Sequence, residues 1–399
     1  MPVGRPELGS VLARLERWGA SRGWIGPDPY EGLNSPLGKV APSRRGRQAV
    51  TQAYKRLPFA PPWPLRAPRR PNSKALALSL SGYATPSGRT LPGAVEHLEW
   101  IPQELERMNL LTDGAGWGYH FDVQTRNIRY SSSTPNAIAT CFVVGALLDE
   151  YHVTRREASR ALALAARPFL LSLQRESRKH GPFFGYVQRD PPLVHNANLL
   201  VCGTLARLDA LEANGTARSA IEAAVGTTLA LTRSDGLWRY GELPNYDWVD
   251  NFHTAYTLEG LVHVSSVHGI GGEALARGAS AWQEQFIERD GWARYYPERR
   301  FPLETHCCAS AIDLLCTLDA SEISFDPSEV SLAVADTAIR ELWIDAQDRF
   351  AFRRTGKGLN LREYMRWTNA PMFRALARFK STFASSHGEN TLENAEQPL

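Results

Sequence analysis

Apolar residues recur along the chain in long runs, each introduced by a polar cluster containing Asn or His. One run follows Thr134-Pro135-Asn136 and takes in Ile138, Phe142, Val143, Val144, Leu147 and Leu148, and another follows His195-Asn196 with Leu199, Leu200, Val201, Leu205 and Leu208. A third starts at Asp250-Asn251-Phe252-His253, a fourth at Glu304-Thr305-His306 with Ile312, Leu314 and Leu315, and a less regular one covers Tyr364 to Phe379. One period back, Lys74 to Leu80 supplies the first of the set. Helices apolar on nearly every side must be buried on every side. The starts lie roughly 50 to 65 residues apart, the length of two helices and two connections. Between them lie amphipathic segments: Val95 to Met108, Ala217 to Leu231, Gly272 to Ile287 and Ser328 to Trp343. A further one opens at Thr154-Arg155-Arg156-Glu157, which reads as a capping box, and runs to Gln174 with a kink at Pro168. This alternation predicts an all-α double ring, an (α/α)6 toroid of helical hairpins, with all inner helices starting at one mouth.

Other segments stand outside the period. Leu57 to Pro71 is too rich in proline for a helix interior and predicts an extended strap on the outside of the ring. Helices at Leu8 to Gly19 and Arg45 to Lys55 add outer elements, the first as an extra. Ser385 to Leu399 lacks an apolar period and predicts a disordered tail. The expected organisation is therefore an N-terminal part over 1–72 packed on the ring, the toroid over 73–384, and the tail over 385–399.

Composition narrows the function without naming it. Of 399 residues 43% are apolar and 22% charged, an ordinary globular balance, and a net charge of +3 argues against nucleic acid as a partner. No uninterrupted apolar stretch reaches the length of a transmembrane helix, and Met1 to Ser10 carries no basic region and apolar run of a signal peptide, which predicts a cytoplasmic protein. The five cysteines, Cys141, Cys202, Cys307, Cys308 and Cys316, are odd in number and irregular in spacing, as reduced thiols are. His306, Cys307 and Cys308 can be imagined around zinc with Cys202 or His253. Adjacent cysteines seldom share one ion and no C-x-x-C or H-E-x-x-H spacing occurs, so no metal and no cofactor is assigned.

The loops before the inner helices share Gly and aromatic residues: Gly116-Trp117-Gly118-Tyr119, Phe184-Gly185-Tyr186, Gly236-Leu237-Trp238-Arg239-Tyr240, Gly291-Trp292-Ala293-Arg294-Tyr295 and Phe350-Ala351-Phe352. Any single one has packing of the rim as its ordinary role. With W-G-Y-H-F-D-V-Q-T-R at Trp117 to Arg126, T-P-N at Thr134 to Asn136, H-N-A-N at His195 to Asn198 and W-V-D-N-F-H-T at Trp248 to Thr254, the chain resembles the VpsJ-type proteins of bacterial exopolysaccharide clusters over most of Tyr83 to Leu318. The resemblance implies the six-hairpin glycosidase-like superfamily, whose sugar-active members include hydrolases, lyases and epimerases. Glu304-Thr305-His306-Cys307-Cys308 departs from that pattern, in which Asp precedes the His.

A closed ring would gather Arg126, Asn136, His195, Asn196, Asn198, Asn251, His253 and His306 at inner-helix N-termini, where free N–H groups favour an anion such as a uronate carboxylate. Trp117, Trp238, Trp248 and Trp292 offer flat faces for sugar rings, and Asp122, Asp247, Asp250, Glu242 and Glu304 are candidate acids. Each Asn has helix capping as its alternative. Two chemistries are open. Hydrolysis would pair Asp122 with Asp250 across the mouth. Elimination or C5 epimerisation would use His253 as base and Tyr119 or Tyr256 as acid, with Asn251 or Arg126 on the carboxylate. The partner expected in either case is a polysaccharide or oligosaccharide. The rivals are a scaffold that holds a glycan or lipid-linked precursor without turnover, and a terpene-cyclase-like toroid, for which no D-x-D-D run is present.

Overall fold

The computed structural model describes residues 7–57, 60–124, 127–189, 192–318 and 323–383. Six inner helices form the ring: Ser73–Tyr83, Ala137–Thr154, His195–Glu212, Asn251–His268, Thr305–Leu315 and Ala370–Phe383, here inner helices 1 to 6. Each packs on the next, and inner helix 6 packs on inner helix 1, so the ring closes. Nearly every residue of inner helices 1 and 5 is buried, as their all-round apolarity requires. Helices 3 and 4 approach most tightly through Gly203 and Gly260; a Cβ on Gly203 would stand 2.7 Å from the Gly260 carbonyl oxygen.

The outer layer consists of Ala94–Arg107, the pair Glu157–Leu164 and Arg167–Ser172, Arg218–Ala230, Gly272–Phe286, Pro327–Leu342 and Leu8–Ala20. The last packs on inner helix 6, so the helix expected as an extra takes the sixth outer position and joins the two ends of the ring. The expected capping box is also different. Thr154 is the last residue of inner helix 2, Arg155 follows at φ 58°, and Thr154 Oγ1 donates to Glu150 instead of opening the outer helix. Pro168 stands in the first turn of Arg167–Ser172, where a missing N–H costs little.

Short strands decorate the rim. Val123–Gln124 pairs with Arg129–Tyr130, and Gln174–Ser177 pairs with Gly181–Phe184. A four-stranded antiparallel sheet has the order Gly358–Asn360, Arg353–Thr355, Arg299–Glu304, Arg294–Tyr296. The described part of the proline-rich segment turns at Pro62–Leu65 and is tied by the Leu37 amide to the Pro64 carbonyl and by Arg69 to Glu363. The expected tail lies outside the described residues. Among the described residues one helix, Ala137–Thr154, is long and apolar enough to cross a membrane, and 67% of it is buried within the ring as inner helix 2. At the pole opposite the mouth Glu259 pairs with Arg374 (2.7 Å), Asp313 with Arg378 (3.1 Å) and Asp149 with Arg207 (2.6 Å).

Candidate functional site

Each inner helix begins against the rim loop of the next repeat. Ser73 Oγ donates to the Gly118 carbonyl (2.8 Å), and the backbone amides of Ala137, His195 and Thr305 donate to the carbonyls of Tyr186 (2.9 Å), Tyr240 (3.1 Å) and Phe352 (3.2 Å). The Asn251 side-chain amide donates to the Arg294 carbonyl (2.9 Å). The Met365 amide completes the circle on the Pro27 carbonyl (3.0 Å). All inner helices thus open on one mouth, and residues 21–72 form its first rim loop.

The first positions of these helices point in different directions, because successive side chains turn by about 100°. First-position residues face the outer layer. His195 Nδ1 meets Thr228 Oγ1 (3.1 Å) and its Nε2 meets Glu242 (3.1 Å), while Asn251 accepts from Trp282 Nε1 (3.0 Å). One turn on, Asn198 accepts from the Phe184 amide and donates to the Ala224 carbonyl and Thr228. These three tie the inner helices to the outer layer and the rim loops. Second-position residues cross the ring. Lys74 Nζ lies 3.8 Å from the centre of the Phe142 ring and donates to Tyr256 Oη (3.4 Å). His306 is stacked on Trp367 and bonded to its carbonyl through Nδ1 (3.1 Å), so Nδ1 carries the proton and Nε2 accepts from Tyr256 Oη (3.0 Å). Burial and the nearby Lys74 and Arg366 push His306 well down, and burial beside Arg366 and Arg374 does the same to Lys74.

The third position of inner helix 4 reaches the mouth. His253 is 24% exposed, lies against the Tyr240 ring at 4.6 Å, and bonds Asp250 Oδ2 through Nδ1 at 2.7 Å. Asp250 caps the helix, accepting from the His253 amide (3.0 Å) and from Trp248 Nε1 (3.0 Å). A carboxylate accepts, so Nδ1 donates and Nε2 presents its lone pair to the mouth. Tyr240 packs on the imidazole, half-buried Tyr30 and Tyr186 and buried Tyr119 lie within electrostatic reach of Tyr240, and half-buried Tyr295 lies within reach of Asp250. Burial raises the phenols of Tyr119, Tyr186, Tyr240 and Tyr295, which keeps them protonated donors. Tyr119 and Tyr186 touch hydroxyl to hydroxyl at 3.1 Å.

Several mouth residues carried no sequence signal. Trp367 and Arg366 sit on a wide π turn, Met365–Asn369, that opens inner helix 6. Arg366 forms a buried fork with Asp28 (Nη2 to Oδ1, 2.8 Å), its guanidinium 4.7 Å above the Tyr119 ring. Tyr30 lies edge-on to Trp367 at 5.3 Å and accepts from Lys55 Nζ (2.7 Å). Asp28, Tyr30 and Lys55 come from residues 21–72, whose sequence has no repeat to align. Lys74 was legible in principle, since it occupies the same helical position as Asn196 and His306.

Other expectations resolve as packing. Trp117, Trp238 and Trp292 are buried and donate to the carbonyls of Leu105, Thr228 and Arg300, so they wall the ring instead of offering a face. Asp122 accepts from the Ser132 amide (3.0 Å) within its own loop, and Asp250 accepts from the His253 amide and ring and from Trp248. Asn136 caps inner helix 2, so the N–H groups expected to be free for an anion are partly taken there and at Asp250. Its Nδ2 and the Oδ1 of buried Asn196 have no hydrogen-bond partner. Glu304 is buried, accepts from Trp367 Nε1 (2.6 Å) and is raised by that burial. Arg126 lies outside the described residues. Cys307 and Cys308 are buried and pushed up, unlike ligating thiolates, and both His306 nitrogens are committed; among the described residues no group of His, Cys, Asp and Glu is set to hold a metal.

No family model matches the sequence, and no curated protein matches it. Solved structures do. Cellobiose 2-epimerase of Bacillus thermoamylovorans superposes with a TM-score of 0.59 at 9% identity, covering 77% of this chain and 87% of its own. A GH76 α-mannanase of Bacteroides thetaiotaomicron gives 0.59 at 12% identity, covering 77% and 86%. UGL, an unsaturated glucuronyl hydrolase solved with dGlcA-Glc-Rha-Glc, gives 0.58 at 16% identity, covering 94% and 95%. These likenesses define the fold class: the chain is an (α/α)6 toroid built like the six-hairpin glycosidase-like enzymes.

Proposed function

We propose that the protein processes a carbohydrate in the mouth of the ring by proton transfer at a sugar carbon, with His253 as general base. The observation that supports this reading is the Asp250–His253 pair against Tyr240, which engages Nδ1 and leaves Nε2 as the ring nitrogen available for a proton. Nε2 takes a proton from the carbon next to a carboxylate or carbonyl, and the C–H electron pair moves onto that group as an enolate. Returning a proton to the other face epimerises the carbon. Alternatively the pair expels the oxygen substituent on the neighbouring carbon, which leaves with a proton from a phenol such as Tyr240 or Tyr119. Hydrolysis is the weaker reading, because all Asp250 contacts are internal and Asp122 is bonded within its loop. The names of the three neighbours given above concern sugars, and the VpsJ-type motifs suggest exopolysaccharide production in the cytoplasm as the setting.

The test is incubation in D2O with glucuronate- and mannose-based oligosaccharides, followed by NMR. Epimerisation should place deuterium on one sugar carbon, elimination should leave a C=C bond in the product, and His253→Ala should slow whichever occurs at least about 100-fold. Cleavage whose products carry neither carbon-bound deuterium nor a C=C bond would return the reading to hydrolysis, and binding without any of these changes would leave a scaffold.

A further inference from the structure

The rim is uneven. Over the first and sixth repeats it is filled by residues 21–72: Asp28 is locked to Arg366, Glu31 meets His120 Nε2 (3.0 Å), Asn34 donates to the His120 carbonyl (3.0 Å), and Tyr30 leans on Trp367. Lys55 holds Tyr30 from above, and Tyr30 lies within electrostatic reach of Tyr119, Tyr240 and Tyr295 on other rim loops. A groove of about 440 Å³ opens between the fourth and fifth rim loops, lined by Arg233, Asp247, Trp248, Gln285, Tyr296 and Arg299. Trp248 belongs to both places. Its Nε1 holds Asp250, its ring stacks on Tyr240 at 4.6 Å, and it forms part of the groove wall. Tyr296 is half-buried there, with the Arg299 guanidinium 4.6 Å above it.

We infer that the mouth receives the end of a glycan chain: the terminal unit lies against His253, and the following unit leaves past Trp248 onto Tyr296 and Arg299 in the groove. A chain continuing past His253 toward the first and sixth repeats would meet Tyr30, which leans on Trp367, and the Asp28–Arg366 pair. Polar rims around exposed aromatic faces suit pyranose rings, with their apolar faces and hydroxyl edges. This inference rests on the carbohydrate reading of the mouth.

The test uses full-length protein and calorimetric titration with mannose- and glucuronate-based saccharides of one, two and four units, with α-mannan and glucuronan as competitors. For the saccharide series that binds, affinity should rise about tenfold from one unit to two, the worth of one added aromatic contact. Tyr296→Ala combined with Arg299→Ala should abolish that rise and leave one-unit affinity and melting temperature unchanged. Shortening the polymer at constant mass should strengthen its competition, because the number of ends increases. Tyr30→Ala should reduce this dependence on ends by opening the blocked side. The inference falls if the groove variant keeps the two-unit gain, or if the polymer competes according to total units whatever its length. If no saccharide binds the wild type, the carbohydrate reading itself falls and this inference with it.

Discussion

His195, His306 and His253 show how one residue type meets three fates at successive positions of a helix start. At the first position His195 is turned to Thr228 and Glu242, at the second His306 is buried across the ring, and at the third His253 reaches the mouth. The repetition of Asn and His was legible in the sequence, but the phase of each side chain depends on the helix's first residue, which a pattern fixes only to within a residue or two. The tryptophans followed a related rule: an indole N–H beside a backbone carbonyl packs as well as one beside a sugar, and Trp117, Trp238 and Trp292 donate to the outer-helix carbonyls of Leu105 and Thr228 and the rim carbonyl of Arg300. Asp28 offers a test at this scale. Its carboxylate is the buried partner of Arg366, so Asp28→Ala leaves a guanidinium uncompensated and should cost about 3–5 kcal/mol in urea unfolding. A loss below about 1 kcal/mol would mean that water reaches Arg366 and that the rim over the first repeat is open.

At the scale of elements, the contrast between helices apolar all round and helices apolar on one side was enough to sort inner from outer and to predict the ring. What the contrast lacked was circularity. Leu8–Ala20 completes the outer layer only because the C-terminal inner helix needs cover, a contact between chain ends that no local pattern encodes. The π turn before inner helix 6 was similarly hidden, since it depends on Tyr364 and Asn369 bonding to neighbouring backbone. Glycines offer a test of helix packing. In inner helix 4, Gly260 lies against inner helix 3 so closely that a methyl group would strike the Leu199 carbonyl, and Gly260→Ala should destabilise by about 1–3 kcal/mol. Gly226, inside the outer helix Arg218–Ala230, has nothing within 4 Å of a built Cβ. There Gly226→Ala should stabilise by about 0.5–1 kcal/mol. Urea midpoints of the two variants should move in opposite directions; equal shifts would refute the close approach of the third and fourth inner helices.

Across the whole molecule, buried polar groups run from the mouth to the opposite pole: Asp28 and Arg366, then His306, Tyr256 and Lys74, then Glu259, Arg374 and Asp313. A formal charge of +3 was readable from composition, but this axial arrangement was not, because its members come from both ends of the chain. Lys74 is the member without a carboxylate partner among its hydrogen bonds, and burial together with Arg366 and Arg374 holds it well below 10.5. In the unfolded chain it keeps its proton up to about pH 10.4. Between the folded and unfolded values the unfolded state therefore binds more protons, and stability rises with pH across that window and is lost as pH falls through the folded value. Above pH 10 the tyrosines act in the opposite sense. Their phenols are raised in the fold, so the unfolded state loses protons first and stability falls with rising pH, which confines the lysine effect to lower pH. His263, pushed down to about 4 by burial, adds a loss of stability as pH falls from 6.5 toward 4. Lys74→Met separates these contributions, since methionine fills similar space and leaves Tyr256 free to donate to His306. The urea midpoint of Lys74→Met should exceed that of the wild type by more at pH 6 than at pH 9, with the acid loss from His263 unchanged. A difference between the two proteins that is constant with pH would show that Lys74 keeps its charge inside the ring.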